Sequence, residues 1–270
     1  MLLTRSDAAI FIVALQRAAH KATKLHFKRL NAVVRWMQKC PQKLIYKALP
    51  GKWGSWQLLC ISDAAFKKEE DAGHALKGGL FALASCTSDA QPTHIVEMAW
   101  RKGTSTVQVI EMVSRRLRNV TRSTFSSETF AANDCVDQGI LLCQILHEVV
   151  CGACTALEAR TLREEGGFKI PMVLVIDAKS VYAAATAGQV KIPAEKSLLS
   201  HLQYLRELLD RGVLRWIIWA DTRDMVADGL TKGVVERKAL HDAMKGLLDI
   251  KHEHEIWSSP LLKVKKQLIL

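Results

Sequence analysis

MVLVID, residues 172–177, is the stretch of sequence that decides the expected fold. Five apolar residues follow one another without a polar interruption, and the run ends at Asp177. A strand with one solvent-exposed face would alternate apolar and polar residues, whereas a strand that is buried on both faces is apolar throughout. We therefore expect a fully buried strand over residues 172–176, with Asp177 at its carboxyl end.

Further strands and helices are predicted on both sides of this run. Strand patterns occupy residues 56–62, 79–84 and 214–219, and one more strand lies between residues 94 and 113, where two alternating stretches leave its register open. A long helix is expected from Ser126 or Ser127, either of which is a suitable N-cap, to about Val150. Helical patterns also cover residues 177–187, 195–210, 224–230 and 234–248, and residues 158–167 resemble a charged loop. Three strands followed by strands that are separated by helices predict an α/β fold.

Positive charge is concentrated at the amino-terminal end. The 270-residue chain has a net charge of +11, and residues 1–50 contain ten Lys or Arg residues against a single acid. At about 100° per residue, residues 21–39 form an amphipathic helix with a basic stripe opposite an apolar side. The stripe suits a phosphate backbone, and a solvated face on a packed helix explains it equally well. The stripe consists of Lys21, Lys24, Lys28, Arg35 and Lys39, and the apolar side of Phe27, Leu30, Val33, Val34 and Met37.

The composition argues against a membrane protein and against a disulfide-rich secreted protein. The longest apolar runs, such as residues 8–15, fall short of the roughly 20 residues that cross a bilayer, and the amino terminus lacks the pattern of a secretory signal. The seven cysteines are odd in number and scattered. Cys151 and Cys154 have no second pair with which to hold a structural zinc ion. An intracellular, reducing environment is therefore expected.

Acidic residues are expected to gather where the strands end. Taken singly, each has an ordinary role at a turn or a helix start. Ligands of open α/β sheets, however, bind beyond the carboxyl ends of the strands, where converging carboxylates would repel one another unless divalent cations neutralised them. Oxygen ligands favour Mg²⁺ or Mn²⁺, and two such ions, about 3.5–4 Å apart, can activate water against a phosphodiester. The acidic residues are Asp63, Glu128, Asp177 and one of Asp221, Asp224 and Asp228.

Four sequence blocks carry a resemblance to a known family. They read CISDAAF at 60–66, RSTFSSETFAA at 122–132, VLVIDAKSVY at 173–182 and WADTRDMVADGLTKG at 219–233. In this order and at these intervals they resemble the ribonuclease H domain of copia-type retrotransposon Pol polyproteins. Residues 4–39 resemble the segment that joins the polymerase to ribonuclease H in that family. The resemblance covers roughly residues 4–246.

The resemblance implies a fold and an activity. The fold is an α/β, ribonuclease H-like five-stranded mixed sheet flanked by helices, with a helical N-terminal extension. Residues 1–52 would be a basic helical segment, residues 53–250 the ribonuclease H-like domain and residues 251–270 a C-terminal tail. The activity is hydrolysis of the RNA strand of RNA–DNA hybrids with two Mg²⁺ or Mn²⁺ ions, in a cytoplasmic particle or the nucleus.

The resemblance also assigns roles to individual residues. The blocks assign metal binding and catalysis to Asp63, Glu128, Asp177 and Asp228. Asp221 and Asp224 fall on variable positions, so they are expected to be turn and N-cap residues. Together with the basic stripe, further cationic side chains would contact the phosphates of the hybrid without reading its sequence. These side chains are Arg115, Arg116, Arg118 and Arg122.

The chain departs from the family pattern in ways that leave an alternative open. Ala65 and Phe66 stand where the family has an acid and a tryptophan, and the link over residues 87–107 is longer. Residues 196–203 lack the two histidines and the aspartate of the corresponding family block, for which His201 is a weak substitute. The sequence contains no polymerase palm motif, so the rest of a Pol polyprotein would be a separate partner. The alternative is a catalytically silent, nucleic-acid-binding remnant; an integrase-type site is disfavoured because no comparable glutamate block follows Asp177.

Overall fold

The computed structural model describes residues 4–66, 75–85 and 98–262, and a mixed sheet of seven strands forms its centre. The strands are β1 (Trp56–Ala65), β2 (Leu76–Ser85), β3 (Gly103–Arg116), β4 (Met172–Ile176), β5 (Leu214–Ala220), β6 (Leu247–Ile250) and β7 (His254–Trp257). They lie side by side in the order β6-β3-β2-β1-β4-β5-β7. Strand β4 runs parallel to its neighbours β1 and β5, and all other neighbours are antiparallel.

Eight α-helices flank the sheet in the described residues. They are α1 (Ala9–Ala18), α2 (Lys24–Lys39), α3 (Thr124–Cys151), α4 (Ala156–Glu165), α5 (Lys179–Thr186), α6 (Leu199–Arg211), α7 (Asp228–Thr231) and α8 (Lys238–Met244). The expected α/β class, a mixed sheet flanked by helices, is confirmed. None of the helices in these ranges combines the length and the apolar character needed to cross a membrane.

Strand β4 is the strand that residues 172–176 predict. All five of its residues are buried, and both of its edges are hydrogen-bonded, one to β1 and the other to β5. Val173 and Val175 belong to the apolar cluster on one face of the sheet, and Leu174 and Ile176 to the cluster on the other. Because both faces are covered, no position along this strand favours a polar side chain.

The third strand uses the second of the two candidate stretches. Strand β3 begins at Gly103 and includes VQVIEMV, residues 107–113. Most of the other stretch, residues 94–100, lies outside the described residues, as does much of the long link over residues 87–107. Strand β1 is also longer than the sequence indicates, since it continues past Asp63 to Ala65. Asp63 is therefore a strand residue and does not end its strand.

Two short strands raise the number from the expected five to seven. Strand β6 pairs with the start of β3, and β7 pairs with β5. The sequence pattern predicts one helix over residues 234–248, but α8 ends at Met244 and Gly246 has a positive φ of 80°. A glycine in this conformation ends a helix readily, so that residues 247–250 turn back along the sheet edge. Strand β7 lies within residues 251–270, for which a tail is expected.

Helix caps explain two further differences from the sequence prediction. Helix α3 begins earlier than expected, because its N-cap is Ser123, whose hydroxyl accepts a hydrogen bond from the Ser126 backbone N–H at 3.1 Å. Residues 158–167 are mostly helical in α4 and are not a loop. There the Thr155 hydroxyl caps the helix and the Glu158 carboxylate accepts from the Thr155 N–H at 2.8 Å, which is a capping box.

The segment after β5 is less helical than its pattern indicates. The pattern predicts one helix over residues 224–230. These residues contain the end of a 3₁₀ turn, Thr222–Asp224, and then the single turn of α7, which begins at Asp228. This break sets the three aspartates of the segment in different surroundings.

Helices cover both faces of the sheet. Helices α3, α5 and α6 supply the core on one face, where Leu205 and Leu209 of the expected leucine stripe are buried. Helices α1, α7 and α8 cover the other face, through residues such as Ala9, Leu230 and Leu240. Helix α2 packs on α1 and contains no buried residue.

Candidate functional site

Three carboxylates meet at one end of the central strands. Ser62 of β1 and Ile176 of β4 are partners in the parallel register. Asp63 and Asp177 are the residues that directly follow these two partners, so they lie next to each other. Asp228 reaches the same place from the first residue of α7. One carboxylate oxygen from each of the three residues lies within 4.8 Å of the others. In the ranges that the structure describes, this is the one cluster of three or more side chains able to share a metal ion.

Glu128 borders the three aspartates from the buried side. It lies in the second turn of α3 and is almost fully buried. Burial, followed by the charges of Asp63 and Asp177, raises the pKa of Glu128 to about 9, although its carboxylate accepts a hydrogen bond from the Ala64 backbone N–H. The four residues that the sequence singles out therefore share one region of negative charge.

The other two aspartates of the segment have structural roles. Asp221 is partly exposed and caps the 3₁₀ turn, where it accepts from the backbone N–H and the guanidinium of Arg223. Asp224 is buried and is not an N-cap, because it ends that turn. Its carboxylate accepts from the backbone N–H groups of Lys251 and His252 at 3.1 and 2.7 Å, and the His252 ring lies beside it. Asp224 thus holds the connection between β6 and β7.

Crowding of the carboxylates perturbs their proton affinities. Burial, followed by the charge of Asp63, raises the pKa of Asp228 to about 7. The same two causes, in the same order, raise the pKa of Asp177. Carboxyl groups that are pushed together in this way gain most from a cation between them.

Lys232 supplies one such cation and was missed as a site residue by the sequence reasoning. Its Nζ lies 2.5 Å from Oδ1 of Asp228 and 3.3 Å from Oδ1 of Asp63. Burial opposes the charged form, but the surrounding carboxylates outweigh it and raise the pKa of Lys232. The spacing of four residues from Asp228, which places both side chains on the same side of the chain, is a signal in the sequence.

Neighbouring side chains hold the aspartates in position. The Thr222 hydroxyl donates to Oδ2 of Asp177 at 3.0 Å, and the indole N–H of Trp219 donates to the Asp177 carbonyl at 2.9 Å. The Thr231 hydroxyl donates to Oδ2 of Asp63. Asp63 and Asp177 are therefore fixed by groups at the end of β5 and beyond it, which the sequence pattern alone does not reveal.

A glycine opposite Asp63 lets α7 approach the sheet. Gly78 of β2 is the register partner of Asp63. A Cβ atom at this glycine would lie 2.7 Å from Cγ2 of Thr231 and 3.0 Å from Cβ of Leu230. The missing side chain therefore makes room for the helix that carries Asp228.

The donor set fits a hard divalent cation. Asp63, Asp177 and Asp228 offer only carboxylate oxygens, with Glu128 beside them, and no histidine or thiolate of the described part of the chain belongs to the cluster. Magnesium and manganese bind such oxygen ligands, whereas zinc and copper favour nitrogen or sulfur. The three aspartates would hold the ion, while Glu128 lies outside the group of mutually close oxygens and acts on it through its charge.

The expected phosphate-binding residues fall into two groups, and all nine are exposed. Arg115 at the end of β3 is the register partner of Lys77 in β2, and Lys77 is the register partner of Ala64 in β1, the neighbour of Asp63. Two strand spacings separate them, or about 10 Å. The second group consists of Lys21, which precedes α2, and four residues of α2 that lie away from the helix face that borders α1. The first group comprises Arg115, Arg116, Arg118 and Arg122, and the second Lys21, Lys24, Lys28, Arg35 and Lys39.

Comparison with known proteins leaves the geometry of the site as the basis for a functional argument. No protein-family model matches the chain, and no curated protein matches it.

Proposed function

We propose that the chain is a metal-dependent nuclease that hydrolyses the RNA strand of RNA–DNA hybrids, like the ribonuclease H domain that its sequence blocks resemble. The observation that carries the proposal is the cluster of Asp63, Asp177 and Asp228, whose oxygens lie within 4.8 Å of one another where β1 passes the carboxyl end of β4. Carboxylate clusters at this edge of an α/β sheet suit divalent cations and phosphodiester chemistry.

The arrangement of strands supports a ribonuclease H-like fold. Strands β1 to β5 are contiguous in the sheet, three of them joined as an antiparallel meander and two added in parallel. This part corresponds to the five-stranded mixed sheet that the resemblance implies. Strands β6 and β7 then extend it at its two edges.

Each residue of the site would have a defined task. Two divalent cations, when bound, supply an activated water and neutralise charge on the phosphodiester. Asp63, Asp177 and Asp228 hold the cations, and Glu128 acts on the cluster through its charge from the buried side. Thr222 and Thr231 orient the carboxylates through their hydroxyl groups. The arginines near the end of β3 bind phosphates and position the hybrid, since phosphate contacts fix register without reading sequence.

The test is cleavage of an end-labelled RNA–DNA hybrid by the purified chain in Mg²⁺ and then in Mn²⁺. We expect cleavage within the RNA strand, none in EDTA, and none with the Asp63→Asn variant. Hybrid binding by that variant should be unchanged or tighter, because the substitution removes a negative charge that faces the phosphates. Asp221→Asn is the matched control, since it removes an aspartate that lies near the cluster residue Asp228 in the sequence but outside the cluster. Cleavage retained in Asp63→Asn would contradict the proposal.

A catalytically silent nucleic-acid-binding protein is the second candidate. It is favoured by Lys232, whose ammonium group contacts both Asp63 and Asp228 and neutralises part of the cluster without a metal. A folded protein that binds the hybrid but fails to cleave it in either metal would support this candidate over the nuclease.

A further inference from the structure

Helix α2 exposes much of the apolar side that its sequence pattern predicts to be packed. Phe27, Leu30 and Val34 lie opposite the basic stripe, yet 62%, 43% and 44% of their surfaces are exposed, and Leu25 is 53% exposed. Single exposed apolar residues are ordinary on protein surfaces, but a group on one helix marks a contact site. Helix α1 therefore covers only part of this side.

A groove lies next to the part of this apolar side of α2 that α1 covers. It has a volume of about 840 Å³ and is bounded by α1, α2 and the turn over residues 233–237. Phe11 and Trp36 form its floor with their rings edge to face, 5.9 Å apart. Val234 is fully exposed on the opposite wall. At about 100° per residue, Val33 in the groove and Leu30 outside it are neighbours on the helix surface, so the groove and the exposed residues form one apolar surface.

The charge of this surface is positive. Arg29 and Arg237 line the groove together with two histidines, and no acidic residue lines it among those that the structure describes. The guanidinium of Arg237 is fixed by the carbonyls of Lys232, Gly233 and Val235 and rests 4.6 Å from the centre of the Phe11 ring. Arg29 is exposed and makes no ion pair or hydrogen bond within the ranges that the structure describes. The sequence from residue 8 to residue 62 contains no Asp or Glu.

We propose that this groove and the adjoining Phe27, Leu30 and Val34 bind an acidic amphipathic helix of a partner protein. Apolar side chains of the partner fill the groove and cover the exposed residues of α2, and a flanking carboxylate pairs with Arg29. A second copy of this chain would bring two acid-free basic segments together. A lipid surface is flat and would leave a concave groove of this volume unfilled. The binding surface is separate from the carboxylate cluster, so the proposal does not depend on nuclease activity.

A synthetic peptide tests the proposal with the intact chain. The probe is a fluorescein-labelled helix of about 18 residues with leucines at positions i, i+3, i+4 and i+7 and glutamates between them. Its controls are the same leucine pattern with lysines, and a scrambled peptide of the same composition. Fluorescence anisotropy should show binding of the acidic helix alone, weakened at least about threefold when NaCl rises from about 50 to about 300 mM. A saturating RNA–DNA hybrid should leave this binding unchanged, because the basic stripe lies on the other side of α2.

Variants of α2 distinguish this surface from general attraction to a basic protein. Leu30→Glu and Val34→Glu should each weaken binding at least about tenfold, since each puts a like charge where a leucine of the probe packs. Leu157→Glu is the control, because it adds the same charge at an apolar residue that is 74% exposed on α4, outside this surface, and should change the affinity less than about threefold. Circular dichroism confirms that each variant is folded. Equal binding of the scrambled peptide, equal effects of Leu30→Glu and Leu157→Glu, or no peptide binding would overturn the proposal. The proposal would also be overturned if the chain bound phosphatidylserine vesicles but not the peptide. The same holds if sedimentation showed a dimer that the Leu30→Glu substitution converts to monomer.

Discussion

At the residue scale, Asp224 and Asp228 are only four positions apart but have different surroundings. Asp228 faces Asp63 and Asp177, whereas Asp224 holds the backbone of residues 251–252. We expect Asp228→Asn to lower hybrid cleavage at least about a hundredfold, because the cation loses a ligand. Asp224→Asn should instead lower the free energy of unfolding by about 1–3 kcal/mol, since a buried acceptor is weakened. Cleavage rates at a temperature where both variants are folded, together with thermal melts, check the difference. An equal loss of cleavage would mean that the wrong aspartate has been assigned.

Lys232 is expected to compete with the metal ion for the same carboxylates. Replacing it with methionine removes the charge that contacts Asp63 and Asp228. In EDTA the variant should melt at a lower temperature than the unmodified chain, because the aspartates then repel one another without compensation. Added Mg²⁺ should stabilise it by a larger increment. The control is Lys238→Met, which removes an exposed lysine that is also paired with an aspartate four residues away. Equal increments in the two variants would show that Lys232 does not shield the cluster.

The raised pKa values give the stability of the metal-free protein a definite pH dependence. The pKa of Glu128 is about 9 and that of Asp228 about 7, both mainly because of burial and then of neighbouring charge. A carboxyl group whose pKa is higher in the folded state binds its proton more tightly there, so stability falls as the pH rises above the unfolded pKa and until it passes the folded one. In EDTA, the Tm advantage of Glu128→Gln over the unmodified chain should therefore grow between about pH 5 and pH 9.

A matched variant separates this effect from general changes with pH. Glu158 is an exposed glutamate on α4, and the difference in Tm between Glu158→Gln and the unmodified chain should not grow between about pH 5 and pH 9. Saturating Mg²⁺ should also reduce the advantage of Glu128→Gln, because a bound cation compensates the ionised carboxylates. A difference in Tm between Glu128→Gln and the unmodified chain that stays constant with pH would show that Glu128 carries no raised pKa.

At the element scale, the sequence predicts buried elements well and boundaries at turns poorly. The sequence predicts the strand at residues 172–176 and the helix with the leucines of α6 without ambiguity. Burial of fixed faces leaves a strong pattern of apolar residues in both. Helix α4 was missed because its exposed, charged residues resemble a loop, although Thr155 and Glu158 form a capping box. The end of α8 was missed because Gly246 turns the chain into an edge strand, which depends on pairing with β3.

The candidate site divides in the same way. Asp63, Glu128, Asp177 and Asp228 could be named in advance, because a conspicuous run or block surrounds each of them. Lys232 has only its spacing of four residues from Asp228 as a signal, and Thr222 and Thr231 have none. The roles of Lys232 and Thr231 depend on how α7 lies across β1 and β2, and that of Thr222 on how the segment after β5 lies against Asp177. That packing is tertiary and leaves no periodic signal in the sequence.

The approach of α7 to β2 provides a prediction about an element. Gly78→Ala would place a methyl group 2.7 Å from Thr231 and 3.2 Å from the Ala227 carbonyl. Because backbone is among the groups that must move, we expect a decrease of about 1–3 kcal/mol in the free energy of unfolding. The displacement of α7 should also shrink the stabilisation by Mg²⁺, since Asp228 moves with it. Gly54→Ala is the control, because nothing lies within 4 Å of its Cβ position. Similar melting curves for the two variants would show that α7 can shift without cost.

At the scale of the whole molecule, positive charge is divided between two separate surfaces. The backbone of Arg115, at the end of β3, lies about 10 Å from that of Ala64, next to Asp63, by strand spacing, whereas the stripe on α2 lies beyond α1. If a hybrid extends from the cluster to the stripe, each neutralised phosphate contributes to the salt dependence of binding.

The charge reversal Lys24→Glu, Lys28→Glu and Arg35→Glu tests whether the stripe belongs to the nucleic-acid surface. We expect the triple variant to bind the hybrid more weakly and to lower the slope of log K against log salt by about one unit for each phosphate that the stripe no longer neutralises. The same charge change at Lys169, Lys191 and Lys196, which are exposed elsewhere, is the control for net charge. A control that alters the slope as strongly would mean that overall charge dominates. An unchanged slope in the α2 variant would make the stripe a solvated face. The expected phosphate contacts would then be limited to the arginines near the end of β3, of which Arg115 and Arg116 lie on the sheet itself.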